Sequence, residues 1–169
     1  MPPSDLNFRT ATLDDVPVIL HHRRSMFRDM GNSTPDELDK MVEATRSWLQ
    51  RSLADGSYRG WLAQTPDGTV VAGGGIWISS WPARPEDLNT RRALIGNLFT
   101  GPEFRRQGLA RRLMLLMIQW LREQEFGSVV LHASDEGRPL YESLGFRPTN
   151  EMRLKLQWQR QTTVRGLLL

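Results

Sequence analysis

Asn97-Leu98-Phe99-Thr100-Gly101-Pro102-Glu103-Phe104-Arg105-Arg106-Gln107-Gly108-Leu109-Ala110-Arg111 reads as a strand, a tight turn and the start of a helix. The strand pattern, which begins at Ala93, ends at Gly101-Pro102, because proline lacks a backbone donor and biases the residue before it. Beyond Gly108, Leu109, Leu113, Leu116, Met117, Trp120 and Leu121 form an apolar stripe at helical spacing, which predicts one helix face against a sheet. The first turn of such a helix has unpaired amides that attract anions, and Gly108 and Ala110 are small enough for a phosphate to come close. Arg105, Arg106 and Arg111 add positive charge there. Glycine beside arginines also occurs at ordinary helix starts, so these residues alone leave a phosphate cradle and a structural turn both open. The glycine and lysine arrangement of a nucleotide P-loop is absent, as is a strand-proximal GxGxxG, which directs attention to another phosphate-bearing ligand.

Upstream, Leu6 to Thr12 predicts a first strand, and Asp14 or Asp15 caps a helix carrying Val16, Ile19 and Leu20. Thr34, Pro35 and Glu37 form a capping box for a second helix, which ends near Asp55-Gly56. Ser57 to Gln64 and Thr69 to Ser79 predict an antiparallel hairpin around Asp67-Gly68. Gly73, Gly74 and Gly75 imply either a bulge or the close approach of another segment. Residues 81–90 predict a loop. Downstream, Ser128 to Ala133 predicts a buried strand and Pro139 to Leu144 a short helix. Met152, Leu154, Leu156 and Trp158 alternate with polar residues as in a last, half-buried antiparallel strand. The order predicts an α/β domain with a mixed, mostly antiparallel central sheet flanked by helices. Residues 1–169 read as one domain, with 1–5 and 161–169 as flexible extensions.

Composition narrows the function classes. Of 169 residues, 39% are hydrophobic and 24% charged, which suits a globular protein better than a disordered one. The formal charge of +3 is too small to argue for a polyanionic partner, and no zinc-finger spacing or recognition helix points to nucleic acid. The chain has no cysteine, which excludes disulfides, thiolate catalysis and cysteine-bound zinc and fits a cytoplasmic protein. Met1 to Asp5 lacks the basic and apolar regions of a secretory signal, and charge interrupts every long apolar stretch, so neither export nor membrane insertion is expected. No metal motif accompanies the adjacent His21 and His22.

Arg105, Gly108 and Ala110 match the R/Q-x-x-G-x-G/A segment of the GCN5-related N-acetyltransferase (GNAT) family, and Tyr141-Glu142-Ser143-Leu144-Gly145-Phe146 resembles its closing Y-x-x-x-G-F segment. The resemblance implies the GNAT-like acyl-CoA N-acyltransferase fold, with acetyl-CoA as acyl donor and an amine as acceptor. It also implies that the amides of Gln107, Gly108, Leu109, Ala110 and Arg111 hold the coenzyme A pyrophosphate. The strand Asn97, Leu98, Phe99, Thr100 would border the acyl-CoA cleft, splayed from the strand before Tyr141, with the Leu98 N–H polarising the thioester carbonyl. Tyr141 would be the general acid for the departing sulfur, and Ser134 would cap a helix or orient water and pantetheine. A homodimer is common in the family.

Transfer requires a neutral amine, yet an alkyl amine of pKa about 10.4 is neutral in roughly one molecule per thousand near pH 7. Many relatives carry an acidic residue on the strand occupied here by Gly96 and Asn97, neither of which is a base. Glu103, through water, and His132 are the candidate bases; the alternatives are a surface charge for Glu103 and a core histidine for His132. Trp48, Trp77 and Trp81 suggest an aromatic acceptor wall or, equally, packing. The expected function is N-acetyl transfer to a primary amine of a small molecule or peptide. An O-acyltransferase, a longer-chain N-acyltransferase and a CoA-binding regulatory module without efficient turnover are the alternatives.

Overall fold

The computed structural model describes residues 5–154. Of these, the residues up to Ser134 belong to one compact unit and those from Asp135 to Leu154 to a second.

The first unit is built on a five-stranded sheet in the order β1-β2-β3-β4-β5. Its strands are β1 (Asn7–Thr10), β2 (Tyr58–Gln64), β3 (Val70–Ser80), β4 (Arg91–Thr100) and β5 (Val129–Leu131). β1 to β4 pair antiparallel in sequence order. β5 joins β4 in parallel, which requires a crossover, supplied by α3 (Leu109–Glu123). The sheet is mixed and mostly antiparallel, as the sequence implies.

Helix α1 (Val16–Asp29) and helix α3 cover opposite faces. Two adjacent glycines of β3 mark the faces: a Cβ at Gly73 would meet Leu62 and His22 of α1, whereas one at Gly74 would meet Leu98 and Met117 of α3. The close approach expected at the glycine run is therefore by packed side chains. Val16, Ile19 and Leu20 of α1 join Leu49 of α2 (Pro35–Asp55) and Tyr58 and Leu62 of β2 in one core. Leu109, Leu113, Met114, Met117 and Leu121 form the buried stripe of α3.

Local chemistry fixes the helix ends. At α2 the Thr34 N–H donates to Glu37 Oε2 at 2.7 Å, the Glu37 N–H donates to Thr34 Oγ1, and Gly56 leaves the helix at φ 78°. Asp15 does not cap α1 by its side chain. Its carboxylate instead accepts both guanidinium arms of Arg9 at 2.7 Å and the Thr12 N–H at 2.8 Å, which ends β1 early and locks a 3-10 turn at Leu13–Asp15.

One strand expectation is corrected, and a second falls largely outside the described residues. β5 is only three residues long, so His132 follows the strand and is exposed instead of lying in the core. Met152 and Leu154 are 95% and 82% exposed and belong to no strand; Leu156, Trp158 and residues 161–169 lie outside the described residues, as do residues 1–4. The second unit contains α4 (Arg138–Ser143), which a left-handed Gly145 follows at φ 92°.

Candidate active site

The centre of β4 is bulged. Gly75 pairs with Gly96 and Gly73 with Phe99, so Asn97 and Leu98 together oppose Gly74. Asn97 adopts φ 53°, a left-handed conformation that asparagine tolerates better than most residues. The extra residue lies on β4, not in the glycine run that suggested a bulge. It resets the alternation: Asn97 and Phe99 both meet α1, through Arg23 and His22, while Leu98 turns toward the Met117 side.

Three polar side chains converge on the α1 side of this bulge. Arg23 Nη1 donates to Asn97 Oδ1 at 2.7 Å, and the Tyr58 phenol lies close to Asn97. Tyr58 is 2% exposed, and burial pushes its phenol up to about 12, so it stays protonated. Arg23 is half-buried, with its guanidinium carbon 4.9 Å from the Phe27 ring centroid and its Nε buried without a hydrogen-bond partner. Neither Arg23 nor Tyr58 emerges from the sequence as a site residue. The available signal was that Arg23 falls on the stripe of Val16, Ile19, Leu20 and Phe27, where helical periodicity asks for an apolar residue.

The position of the missing base is also explained. A Cβ at Gly96 would collide with the Trp77 indole, so a carboxylate there requires the indole to move, and Asn97 is already bonded to Arg23. Trp77 packs with Trp48 and Tyr58 at centroid separations of 5.6 to 6.1 Å. Trp48 and Trp77 are both half-buried in this cluster. Trp81 is 42% exposed beneath the Arg92 guanidinium.

Beyond the bulge, β4 pairs with β5 only as far as Ile95↔Leu131. The β5-facing edge of residues 96–100 therefore has no strand partner among the described residues, leaving backbone groups that an extended ligand can use. Phe99 is buried against His22 with ring centroids 4.8 Å apart. Thr100 Oγ1 is buried and unpartnered. His132 is exposed and Ser134 half-buried after β5, at the end of this unit.

The strand then enters the turn before α3. Glu103 is exposed in a 3-10 turn at Pro102–Phe104, and its backbone carbonyl accepts Gln107 Nε2 at 3.0 Å. Arg106 at φ 59° and Gly108 at φ 82° give two left-handed residues directly before the first turn of α3. A Cβ at Gly108 would meet nothing within 4 Å, so the space over the helix start is open. Leu109 points into the core, Ala110 is half-buried and Arg111 exposed. This open, amide-lined helix start fits the pyrophosphate of coenzyme A. Arg105 is engaged elsewhere: it donates through Nε to the Thr100 carbonyl at 3.0 Å and pairs with Asp29 at the end of α1. It ties the turn to α1.

In the second unit, Tyr141 is half-buried, its ring centroid 6.2 Å from that of Phe146 in an edge-on contact. Burial pushes its phenol above the ordinary range, so the group carries its proton at neutral pH.

These features have counterparts in known proteins. Residues 19–146 match the model of the acetyltransferase (GNAT) family, and the chain belongs to that family. Its fold is similar to that of a GCN5-related N-acetyltransferase from Ralstonia eutropha JMP134, with a TM-score of 0.83 and 34% identity over 89% of this chain and 98% of that one. A predicted acetyltransferase from Clostridium acetobutylicum, solved with acetyl-CoA, gives a TM-score of 0.80 at 25% identity, covering 90% of this chain and 96% of that one. Human N-acetyltransferase 8 is 29% identical over 117 residues, covering 66% of this chain and 46% of the relative. The chain spans about half the length of the curated relatives it matches. Among the described residues no helix is long and apolar enough to cross a membrane.

Proposed function

We propose that this chain is a cytoplasmic N-acetyltransferase that moves an acetyl group directly from acetyl-CoA to a primary amine of a small molecule or peptide. One observation carries the reading: a single strand, β4, joins a bulge at Asn97-Leu98 to an open, left-handed helix start at Gly108, with an edge between them that has no strand partner among the described residues. That is a strip suited to a long ligand with a phosphate at one end and a carbonyl at the other. The Clostridium relative, solved with acetyl-CoA, supports the choice of donor.

In this mechanism the amides from Gln107 to Arg111 hold the pyrophosphate, and the edge of residues 96–100 pairs with the pantetheine arm. The Leu98 N–H lies at the bulge and polarises the thioester carbonyl. The neutral amine attacks the carbonyl carbon, the C–N bond forms and the C–S bond breaks. The amine proton leaves through water toward Glu103 or His132, both exposed, and Tyr141 supports the departing thiolate.

The test is release of CoA thiol from acetyl-CoA across a panel of amines and alcohols, with product masses. Release that depends on an amine and yields an N-acetyl product supports the proposal; tight CoA binding without acceptor-dependent release would overturn it in favour of a regulatory module.

Gly108→Val is expected to weaken CoA binding at least about tenfold. A β-branched residue strains the left-handed position by roughly 1–2 kcal/mol and puts its side chain into the open space over the amides. The surroundings are uncrowded, so the variant should fold, and calorimetric titration of CoA into it checks the loss.

A further inference from the structure

The Arg23 guanidinium has no carboxylate partner among the described residues. Its neighbour Arg24 pairs with Asp39 at 2.8 Å, and Arg9, Arg28 and Arg105 each have an aspartate. Arg23 instead gives one N–H to the neutral Asn97, faces the Phe27 ring and leaves Nε buried and unbonded. A half-buried cation held only by neutral groups is poorly compensated, and arginine cannot escape by losing its proton. Tyr58, which also lies near it, is neutral as well.

The phosphates of coenzyme A do not supply the missing charge. The phosphate turn is tied to α1 at Asp29 by Arg105, six residues beyond Arg23, or about 9 Å along the helix. Arg23 sits instead beside Asn97, the residue adjoining Leu98, where the reading above puts the reacting carbonyl.

We propose that Arg23 receives a carboxylate of the acceptor, so that the substrate class is amines bearing a carboxylate near the reacting nitrogen, and that Arg23 selects for it. This rests on the acetyl-transfer reading. A carboxylate fits better than a phosphate, because the bulge offers one cation, where a phosphate near neutrality carries closer to two charges. Arginine also matches the planar geometry of a carboxylate. Asn97 keeps the guanidinium in place, so the acceptor binds a group that is already oriented.

The experiment compares matched acceptors at saturating acetyl-CoA: amino acids against their amides, their decarboxylated amines and amines bearing a phosphate. The expected result for the unaltered protein is kcat/KM about thirtyfold higher for the carboxylate member than for its amide, mostly through KM, in keeping with a charge-assisted hydrogen bond. In Arg23→Gln that ratio should fall close to one, and Arg23→Lys should retain part of it. Equal use of carboxylate and amide by the unaltered protein overturns the proposal, and needs no variant to fold. A preference that survives in folded Arg23→Gln, or a preference for the phosphate-bearing amine, overturns it as well. Acetyl transfer without carboxylate preference leaves the transferase reading standing, whereas no transfer to any amine removes both.

Discussion

Tyr141→Phe is expected to slow acetyl transfer in a single turnover by roughly tenfold to a thousandfold, about 1.4 to 4 kcal/mol of transition-state stabilisation, while leaving CoA affinity unchanged. The substitution removes one oxygen and keeps the ring that packs edge-on to Phe146. Burial pushes the phenol above its usual range, which makes it a weaker acid but keeps it protonated near neutral pH. A thiol of pKa about 8.5 leaves more readily than a phenolate of about 10 forms, so the contribution is a hydrogen bond to developing charge more than a completed proton transfer. Water replacing the hydroxyl would bring the effect to the smaller end. A donor thioester with a better leaving group should recover part of the lost rate. Unchanged single-turnover kinetics in a folded variant would reassign Tyr141 to packing.

The sequence reveals most where local chemistry decides the structure. Thr34, Pro35 and Glu37 set the start of α2, and Gly56 its end, because capping depends on a few neighbouring residues. The stripe from Leu109 to Leu121 and the turn at Gly108 are legible for the same reason. The bulge is not, because it depends on register between β3 and β4, which lie far apart in the chain; the glycine run pointed to the wrong strand. The end of β5 before His132 is not legible either, because three apolar residues give no sign of where pairing stops. The final alternation from Met152 illustrates the converse: Met152 and Leu154 keep a strand-like pattern yet stay exposed.

The candidate site divides along the same line. Its phosphate half rests on backbone conformation that glycine signals directly. Its acceptor half rests on long-range pairing between α1 and β4, 74 residues apart at Arg23 and Asn97. Trp77 over Gly96 and Arg23 on Asn97 together occupy the place where a carboxylate base would stand. A carboxylate there would neutralise Arg23 from within the protein. With asparagine in its place the cation has no carboxylate partner among the described residues, which links the absence of a base on β4 to the acceptor chemistry proposed for Arg23.

His22, a further buried ionisable group on this face, predicts a pH dependence of stability. His22 is 4% exposed, stacked on Phe99 and lying over Gly73, and burial, with His21 nearby, lowers its pKa from 6.5 to about 4. Between those values the unfolded chain binds a proton that the folded chain refuses, so acidification favours unfolding. The stabilising contribution is complete above about pH 6.5 and lost as pH falls toward 4, amounting to about 3 kcal/mol over that window. Asp15 acts in a lower window: its hydrogen bond from Arg9 depresses its pKa below 3.8, so its contribution persists until the pH falls under that value. Urea unfolding at intervals from pH 7.5 to 4.5 should therefore show a decline dominated by His22. In His22→Gln, which keeps a donor for the Val70 backbone but cannot titrate, the curve should be nearly flat across the same interval, whatever constant offset the altered packing against Phe99 introduces. A variant curve as steep as that of the unaltered protein would show that His22 is not the group responsible.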